Sequence, residues 1–179
     1  MADVIIAHVR CYADFVGGGR FLPNAVPHTL DEDAAGLQEL LCLERARTET
    51  ALRSESDLIL LDRGVHTLLA HRYAIERTTG LTCFGPAQRA VDKAQLPSRP
   101  DLVTYLDVPQ EVVHARNHGK FPTDSIFIDA RFNSGIRSYF AEITERQPIL
   151  WLDATLDPGK LVKLAEVEVR RLLARVRAS

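Results

Sequence analysis

Residues 57–74 read DLILLDRGVHTLLAHRYA and carry the strongest fold signal in the chain. The apolar run Leu58–Leu61 predicts a strand, and the residues after it have the spacing of a helix that Gly80 would end. The run contains no polar residue, so we expect the strand to be buried on both faces. It is followed by Asp62 and Arg63. An acid at the end of a buried strand is unfavourable without a partner, so this pair is a candidate for a functional site.

The same alternation of apolar runs and amphipathic segments extends over the whole chain. It predicts strands over 3–9, 57–62, 101–108 and 148–154. It predicts helices over 30–53, 65–80, 84–95, 110–120, 125–146 and 158–176, the last of them capped by Asp157. This order indicates an α/β fold, a parallel sheet flanked by helices on both faces. Functional residues of such sheets follow the carboxyl ends of the strands, which here are Arg10, Asp62 with Arg63, Asp107 and Asp153.

Composition limits the class of protein. The chain has 179 residues, 46% of them hydrophobic, and a formal net charge of -2, which suits one globular domain over 1–179. That charge argues against a protein that coats nucleic acid, and no apolar run is long enough to span a membrane. Cys11, Cys42 and Cys83 are far apart and odd in number, so we expect a reducing, cytoplasmic location without a disulfide framework.

The Asp62–Arg63 pair has two interpretations on spacing alone. A carboxylate beside a guanidinium at the mouth of a parallel sheet suits a metal-bound phosphate and its acceptor. Alternatively, Asp62 caps the next helix and Arg63 is an ordinary surface charge. Both interpretations stay open at this point.

The segment also resembles the Asp-Arg motif of the thymidylate kinases. That motif continues with a hydroxyl residue and a ring on the following helix, here Thr67 and His71, while Gly64 replaces an aromatic residue. The upstream helix resembles the family's helix that carries an acid-arginine pair, here Glu44 and Arg45.

Three further segments resemble the same family in the same order. RPDLVTYLDVPQEVVHARN, residues 99–117, is similar to its proline-aspartate, strand and helix segment. Residues 118–140 fall where the lid and the next helix lie, and residues 148–169 resemble the final strand and closing helix. From about Leu40 onward the chain therefore resembles the thymidylate kinase-like and deoxynucleoside kinase-like P-loop NTPases.

The resemblance implies phosphoryl transfer from ATP, with Mg2+, to a nucleoside, a nucleoside monophosphate or a similar small acceptor. Asp62 would orient the metal directly or through water, and Arg63 would contact the acceptor. A small lid is expected around 117–128. Cations that neutralise the transferring group would be Arg116, Lys120 and Arg131. Acceptor-binding residues would be Arg10, Arg45, Thr67 and His71.

For several of these residues the sequence also allows a simpler interpretation without a role in binding or catalysis. Arg45 and Arg47 suit a solvated helix face, and His71 suits a packed core position. Lys120 and Arg131 suit ordinary surface positions. The basic C-terminal residues alternate with leucine and valine, as on an amphipathic helix, so we expect no nucleic-acid partner. The apolar positions of 37–52 also suit a homodimer interface.

The chain departs from the family at its start. No glycine begins a Gly-x-x-x-x-Gly-Lys-Ser/Thr loop, and the first strand resembles the family's second. The first strand, P-loop and first helix are therefore expected to be missing. The true start lies upstream, or the chain is a truncated remnant, or it is a non-catalytic nucleotide-binding or protein-interaction module. In the last case a substitute anion loop would consist of Gly17, Gly18, Gly19 and Arg20.

Overall fold

The computed structural model describes residues 6–11, 24–97 and 99–176, and the chain divides into two compact units, Met1–Arg99 and Pro100–Ser179. The elements of the first unit are β1 (Ile6–Val9), α1 (Leu30–Leu52), β2 (Leu58–Leu61), α2 (Val65–Thr79) and α3 (Phe84–Ala94). Those of the second are β3 (Val103–Asp107), α4 (Gln110–Asn117), a 3-10 helix (Ile126–Ile128), α5 (Ala130–Ile143), β4 (Ile149–Asp153) and α6 (Pro158–Val176). The parallel α/β class is confirmed, while a single domain over 1–179 with a lid around 117–128 stays a prediction.

In the first unit, β1 and β2 pair in parallel, with Val9 opposite Leu61 at the carboxyl end. The helix α1 begins at Thr29, whose hydroxyl accepts a hydrogen bond from the Glu32 amide at 3.1 Å. The fully or almost fully buried apolar side chains of this unit come from the three helices and the segment before α3: Leu37, Leu41, Ala51, Leu68, Ala70, Ala74, Ile75, Cys83 and Ala87. This packing fixes α1 and α2, the two helices that carry the candidate site.

The end of α2 depends on Gly80, as the sequence predicts. Gly80 has a φ of 81°, in the left-handed region, and its amide donates to the Glu76 carbonyl at 2.9 Å. We expect Gly80→Ala to lower the free energy of unfolding by about 1 kcal/mol, because an L side chain is strained at this φ. A Cβ at this position would meet no atom within 4 Å, so backbone strain alone accounts for the loss.

Urea unfolding of the two variants Gly80→Ala and Gly85→Ala measures this effect. Gly85 lies in the first turn of α3, and a Cβ there would make ordinary contact, 3.6 Å from Arg89 Nη1. The control variant should therefore be neutral or slightly stabilised. Equal effects of the two substitutions would contradict the prediction.

The second unit is built on the parallel pair β3–β4, in which Asp107 lies opposite Asp153 at the carboxyl end. Aromatic rings cover this sheet: Tyr105 packs 4.8 Å from Phe140 and 4.7 Å from Trp151, measured between ring centroids. The buried side chains of the unit are mostly on α5 and β4: Ile128, Phe132, Tyr139, Phe140, Leu152 and Ala154.

The structure corrects two details of the sequence prediction. Residues 125–146 do not form one helix, because the Asp129 carboxylate accepts hydrogen bonds from the Arg131 and Phe132 amides at 2.8 and 3.0 Å and starts α5 there. The strands are also less buried than their apolar runs suggested, with Leu60 43% and Leu106 55% exposed. In the described residues each sheet has two strands, so less of each strand is covered than in a larger sheet.

Among the helices of the described residues, none is long and apolar enough to cross a membrane.

Candidate functional site

The carboxyl end of the β1–β2 sheet brings together two of the predicted residues. The Asp62 amide donates to the Val9 carbonyl at 3.0 Å, which extends the strand pairing by one step. Arg10 and Asp62 therefore follow directly after paired strand-final residues, and both are exposed. This is the edge at which parallel sheets carry their functional groups.

The next residues form a tight turn into α2. Arg63 has a φ of 63°, in the left-handed region that non-glycine residues rarely adopt. Gly64 then precedes the helix, and its carbonyl accepts a hydrogen bond from the Thr67 amide at 2.9 Å. Unfavourable backbone conformations of this kind occur preferentially at functional sites, where surrounding contacts maintain them.

The first turns of α2 place Thr67 and His71 one helical turn apart, and both are half-buried. Burial lowers the pKa of His71 from 6.5 to about 4, with smaller contributions from the positive charges of Arg72 and Arg63. Thr67 and His71 thus follow Arg63 on the first turns of α2, and His71 is neutral at neutral pH.

The low pKa of His71 predicts a loss of stability in acid. In the unfolded chain His71 binds a proton near its ordinary pKa of 6.5, whereas in the folded protein it does so only near 4. Between these values the unfolded state binds more protons, so stability falls as the pH is lowered through this window. When the pH is lowered from about 7.5 to about 5, we expect protonation of His71 in the unfolded chain to reduce the free energy of unfolding by about 2 kcal/mol.

Denaturant unfolding of the wild type and of His71→Gln over this pH range measures the contribution. The variant should lose less stability on acidification, by the same ~2 kcal/mol, because glutamine does not titrate. His114→Gln, at an exposed position on α4, is the matched control for a histidine-to-glutamine exchange. Parallel curves for the wild type and His71→Gln would contradict the pKa assignment.

Beneath the turn lies a buried ion pair. Arg47 is 0% and Glu44 4% exposed, and Arg47 Nη1 donates to Glu44 Oε2 at 2.8 Å. Arg47 Nη2 donates to the Asp62 carbonyl at 2.8 Å and to the Arg63 carbonyl at 3.3 Å. The interpretation of Arg47 as part of a solvated helix face is therefore wrong, and Glu44, the acid of the predicted Glu44–Arg45 motif, pairs with Arg47.

Arg45 itself is exposed and donates a short hydrogen bond to the Ala94 carbonyl at the end of α3. The burial of Arg47, two residues further along the helix, could have been predicted from the spacing of the apolar residues. Leu37, Leu41, Glu44, Thr48 and Ala51 form one buried helical stripe, and Arg47 lies beside it one turn after Glu44.

The second unit carries the predicted lid cations. Arg116, Lys120 and Arg131 are all exposed. The ammonium of Lys120 lies 5.6 Å from the centroid of the Phe121 ring, within range of a cation–π contact. Their role toward a phosphoryl group stays a prediction.

The second unit also contains an open cleft of about 980 Å3 at the carboxyl ends of β3 and β4. Arg137 spans it, donating from Nε to both Asp107 carboxylate oxygens at 3.1 Å, with its guanidinium 5.5 Å from the Trp151 ring centroid. Opposite, the Asp153 carboxylate accepts hydrogen bonds from the Thr155 hydroxyl at 2.6 Å and amide at 2.9 Å, which lower its pKa. The two strand-final acids are thus already engaged within their own unit.

Two expectations concern metal and phosphate binding. Across the described residues, no group of three or more His, Cys, Asp or Glu side chains is placed to hold a metal ion. The anion loop predicted at Gly17, Gly18, Gly19 and Arg20 lies outside the described residues.

In the described residues, parallel strand pairs alternate with helices and carry charged residues at their carboxyl ends, which is an α/β arrangement. The chain is similar in structure to deoxyadenosine kinase from M. mycoides. The dCTP-bound form aligns with a TM-score of 0.56 and 14% identity over 79% of this chain and 75% of that chain. The dATP-bound form aligns with the same TM-score and coverage at 16% identity.

No protein-family model matches the chain, and no curated protein matches it. At these identities the structural likeness establishes the fold, which is deoxynucleoside kinase-like. The particular resemblance to thymidylate kinases stays a prediction.

Proposed function

We propose that this protein is a kinase-type phosphotransferase that moves a phosphoryl group from ATP to a nucleoside, a nucleoside monophosphate or a similar acceptor. The observation that carries the proposal is the group of polar residues at the carboxyl end of the β1–β2 sheet. There an exposed carboxylate, Asp62, precedes an arginine in a left-handed turn, and Thr67 and His71 follow on α2. The fold of the deoxyadenosine kinases supports it, and those proteins bind dCTP and dATP.

In this proposal Arg63, Arg10, Thr67 and His71 bind the acceptor. A cationic guanidinium suits a phosphate or a polarised hydroxyl, and a neutral imidazole can hydrogen-bond to a sugar or base without adding charge. Arg45 would hold the base or sugar. Arg116, Lys120 and Arg131 would supply positive charge to the transferring group.

The exposed Asp62 carboxylate fits a role toward Mg2+. This ion prefers oxygen ligands and is commonly held by one or two carboxylates together with substrate phosphates and water. When bound, Mg2+ neutralises charge on the phosphates. A single protein carboxylate is therefore compatible with the proposal, and Asp62 would be that ligand directly or through water.

A second function is favoured by one feature of the sequence. The chain contains no Gly-x-x-x-x-Gly-Lys-Ser/Thr loop, the usual cradle for ATP phosphates. A protein that keeps the acceptor-binding edge but not this cradle would bind a nucleoside or nucleotide without phosphorylating it. It would then serve as a nucleotide-binding or protein-interaction module.

Two measurements on the full chain separate these functions. Radiolabelled ATP is incubated with Mg2+ and a panel of deoxynucleosides and their monophosphates, beginning with deoxyadenosine and deoxycytidine. Calorimetry measures binding of ATP and of each acceptor separately. Transfer of label supports the kinase. Acceptor binding without ATP binding or transfer supports the binding module, and binding of neither by folded protein overturns both.

A further inference from the structure

We propose that Arg47, held by Glu44, is a positioning residue that fixes the turn 62–64 and thereby aims the Arg63 side chain at the acceptor. The last step, contact with an acceptor, rests on the proposed function. The first step, control of the turn, rests on the contacts of the folded chain alone.

The first observation is the geometry of the guanidinium. Arg47 Nη2 lies 2.8 Å from the Asp62 carbonyl oxygen and 3.3 Å from that of Arg63, so one nitrogen binds two consecutive carbonyls. Nη1 is held at 2.8 Å by the Glu44 carboxylate. A planar guanidinium presents these donors at fixed angles, whereas a lysine ammonium would supply a single mobile point of charge.

The second observation is the conformation that these bonds maintain. Arg63 lies at a φ of 63°, which is unfavourable for a residue with a Cβ. Such a conformation persists only where neighbouring contacts over-determine it. The two hydrogen bonds from Arg47 immobilise the carbonyl on each side of the Arg63 φ torsion, and so supply that constraint.

The third observation is the close approach of Glu44 to the same turn. A Cβ added to Gly64 would lie 3.3 Å from Glu44 Oε1, tighter than ordinary contact. Arg47 therefore binds the turn through its guanidinium, and the Glu44 carboxylate lies close to Gly64. The ion pair thus lies against residues 62–64.

If Arg47 had a purely structural role, its substitution would change stability alone. The first unit contains a second buried ion pair with which this can be compared. Asp33 and Arg72 form another buried pair, with Arg72 Nε 3.0 Å from Asp33 Oδ1 and exposures of 6% for Arg72 and 5% for Asp33. This pair joins α1 to α2 between side chains. Weakening it should lower stability without changing the turn.

The test uses Arg47→Lys and, as matched control, Asp33→Asn, both in the full chain. Amide exchange and chemical shifts of residues 62–64 report the turn, and steady-state kinetics report the acceptor. We expect Arg47→Lys to speed amide exchange in the turn at least tenfold and to raise KM for the acceptor about tenfold, with KM for ATP unchanged. Asp33→Asn should lower the unfolding midpoint and leave turn shifts and acceptor KM as in the wild type.

A double substitution checks that Arg47 acts through Arg63. In an Arg63→Met background, Arg47→Lys should still disturb the turn but should add no further increase in acceptor KM. An equal increase in both backgrounds would overturn the positioning role. So would wild-type turn shifts and exchange in Arg47→Lys.

The role of Arg47 can still be tested if the Arg47→Lys variant does not fold or if the wild type has no activity. If Arg47→Lys does not fold, Glu44→Gln preserves the shape of the pair while removing its charge, and it should change the turn shifts in the same direction by a smaller amount. Unchanged shifts in Glu44→Gln would then overturn the proposal. If the wild type neither binds an acceptor nor transfers phosphate, the proposed function fails, while the turn shifts still decide whether Arg47 controls the turn.

Discussion

Asp62→Asn should lower kcat for phosphoryl transfer by about a hundred- to a thousand-fold, with acceptor affinity changed less than threefold. Asparagine keeps the size and hydrogen-bonding shape of the side chain but removes its negative charge. The backbone contacts of residue 62, to Val9 and Arg47, involve its amide and carbonyl and are retained. The loss should therefore fall on charge-dependent steps, above all on binding of Mg2+ with the phosphates.

The matched control for this substitution lies at the other end of the same strand. Asp57 is exposed and directly precedes β2 at its amino end, so Asp57→Asn removes an equal charge away from the carboxyl edge. Its kcat should stay within twofold of the wild type. Initial rates at saturating ATP and acceptor, over a titration of Mg2+, provide the measurement. Equal activity of Asp62→Asn and wild type would remove Asp62 from the reaction.

The largest expected effect on stability comes from Arg72→Met. The side chains of Arg72 and Asp33 are 6% and 5% exposed, so this substitution leaves a carboxylate buried without its counter-ion. We expect the free energy of unfolding to fall by about 3–5 kcal/mol. Urea unfolding at neutral pH measures the change, with the midpoint falling and the slope unchanged.

The double variant Asp33→Leu/Arg72→Met tests the cause of that loss. If the uncompensated carboxylate is responsible, removing it should recover most of the stability, because two apolar side chains of similar volume can replace a buried pair. A loss in the double variant equal to or larger than that of Arg72→Met would instead assign the effect to packing.

The helix ends could be predicted because their signals are local. Gly80 after the last apolar position and Asp157 before the C-terminal helix each act within a few residues of their own element. The start of α5 was missed since Asp129 lies between Ile128 and Phe132, where the apolar spacing continues through the cap. The spacing of apolar residues therefore does not show that a new helix starts after Asp129.

Strand burial and the ion pair beneath the turn were missed for a different reason. An apolar run such as that of β2 indicates a strand, but how much of it is covered depends on neighbours far away in the sequence. Charged residues in a helix are usually solvated, which made an outer face the simpler interpretation of Arg47. Only the fold shows that the carbonyls of Asp62 and Arg63 supply the missing acceptors for that guanidinium.

The tight space between Gly64 and Glu44 links two positions that are twenty residues apart in the sequence. An attempt to graft an aromatic ring into this turn, as in the thymidylate kinase motif, would drive the ring's Cβ against a buried carboxylate. Such a graft would require the Glu44 carboxylate to shift by a few tenths of an ångström, and because that carboxylate also binds Arg47, redesign of the acceptor pocket has to consider both positions together.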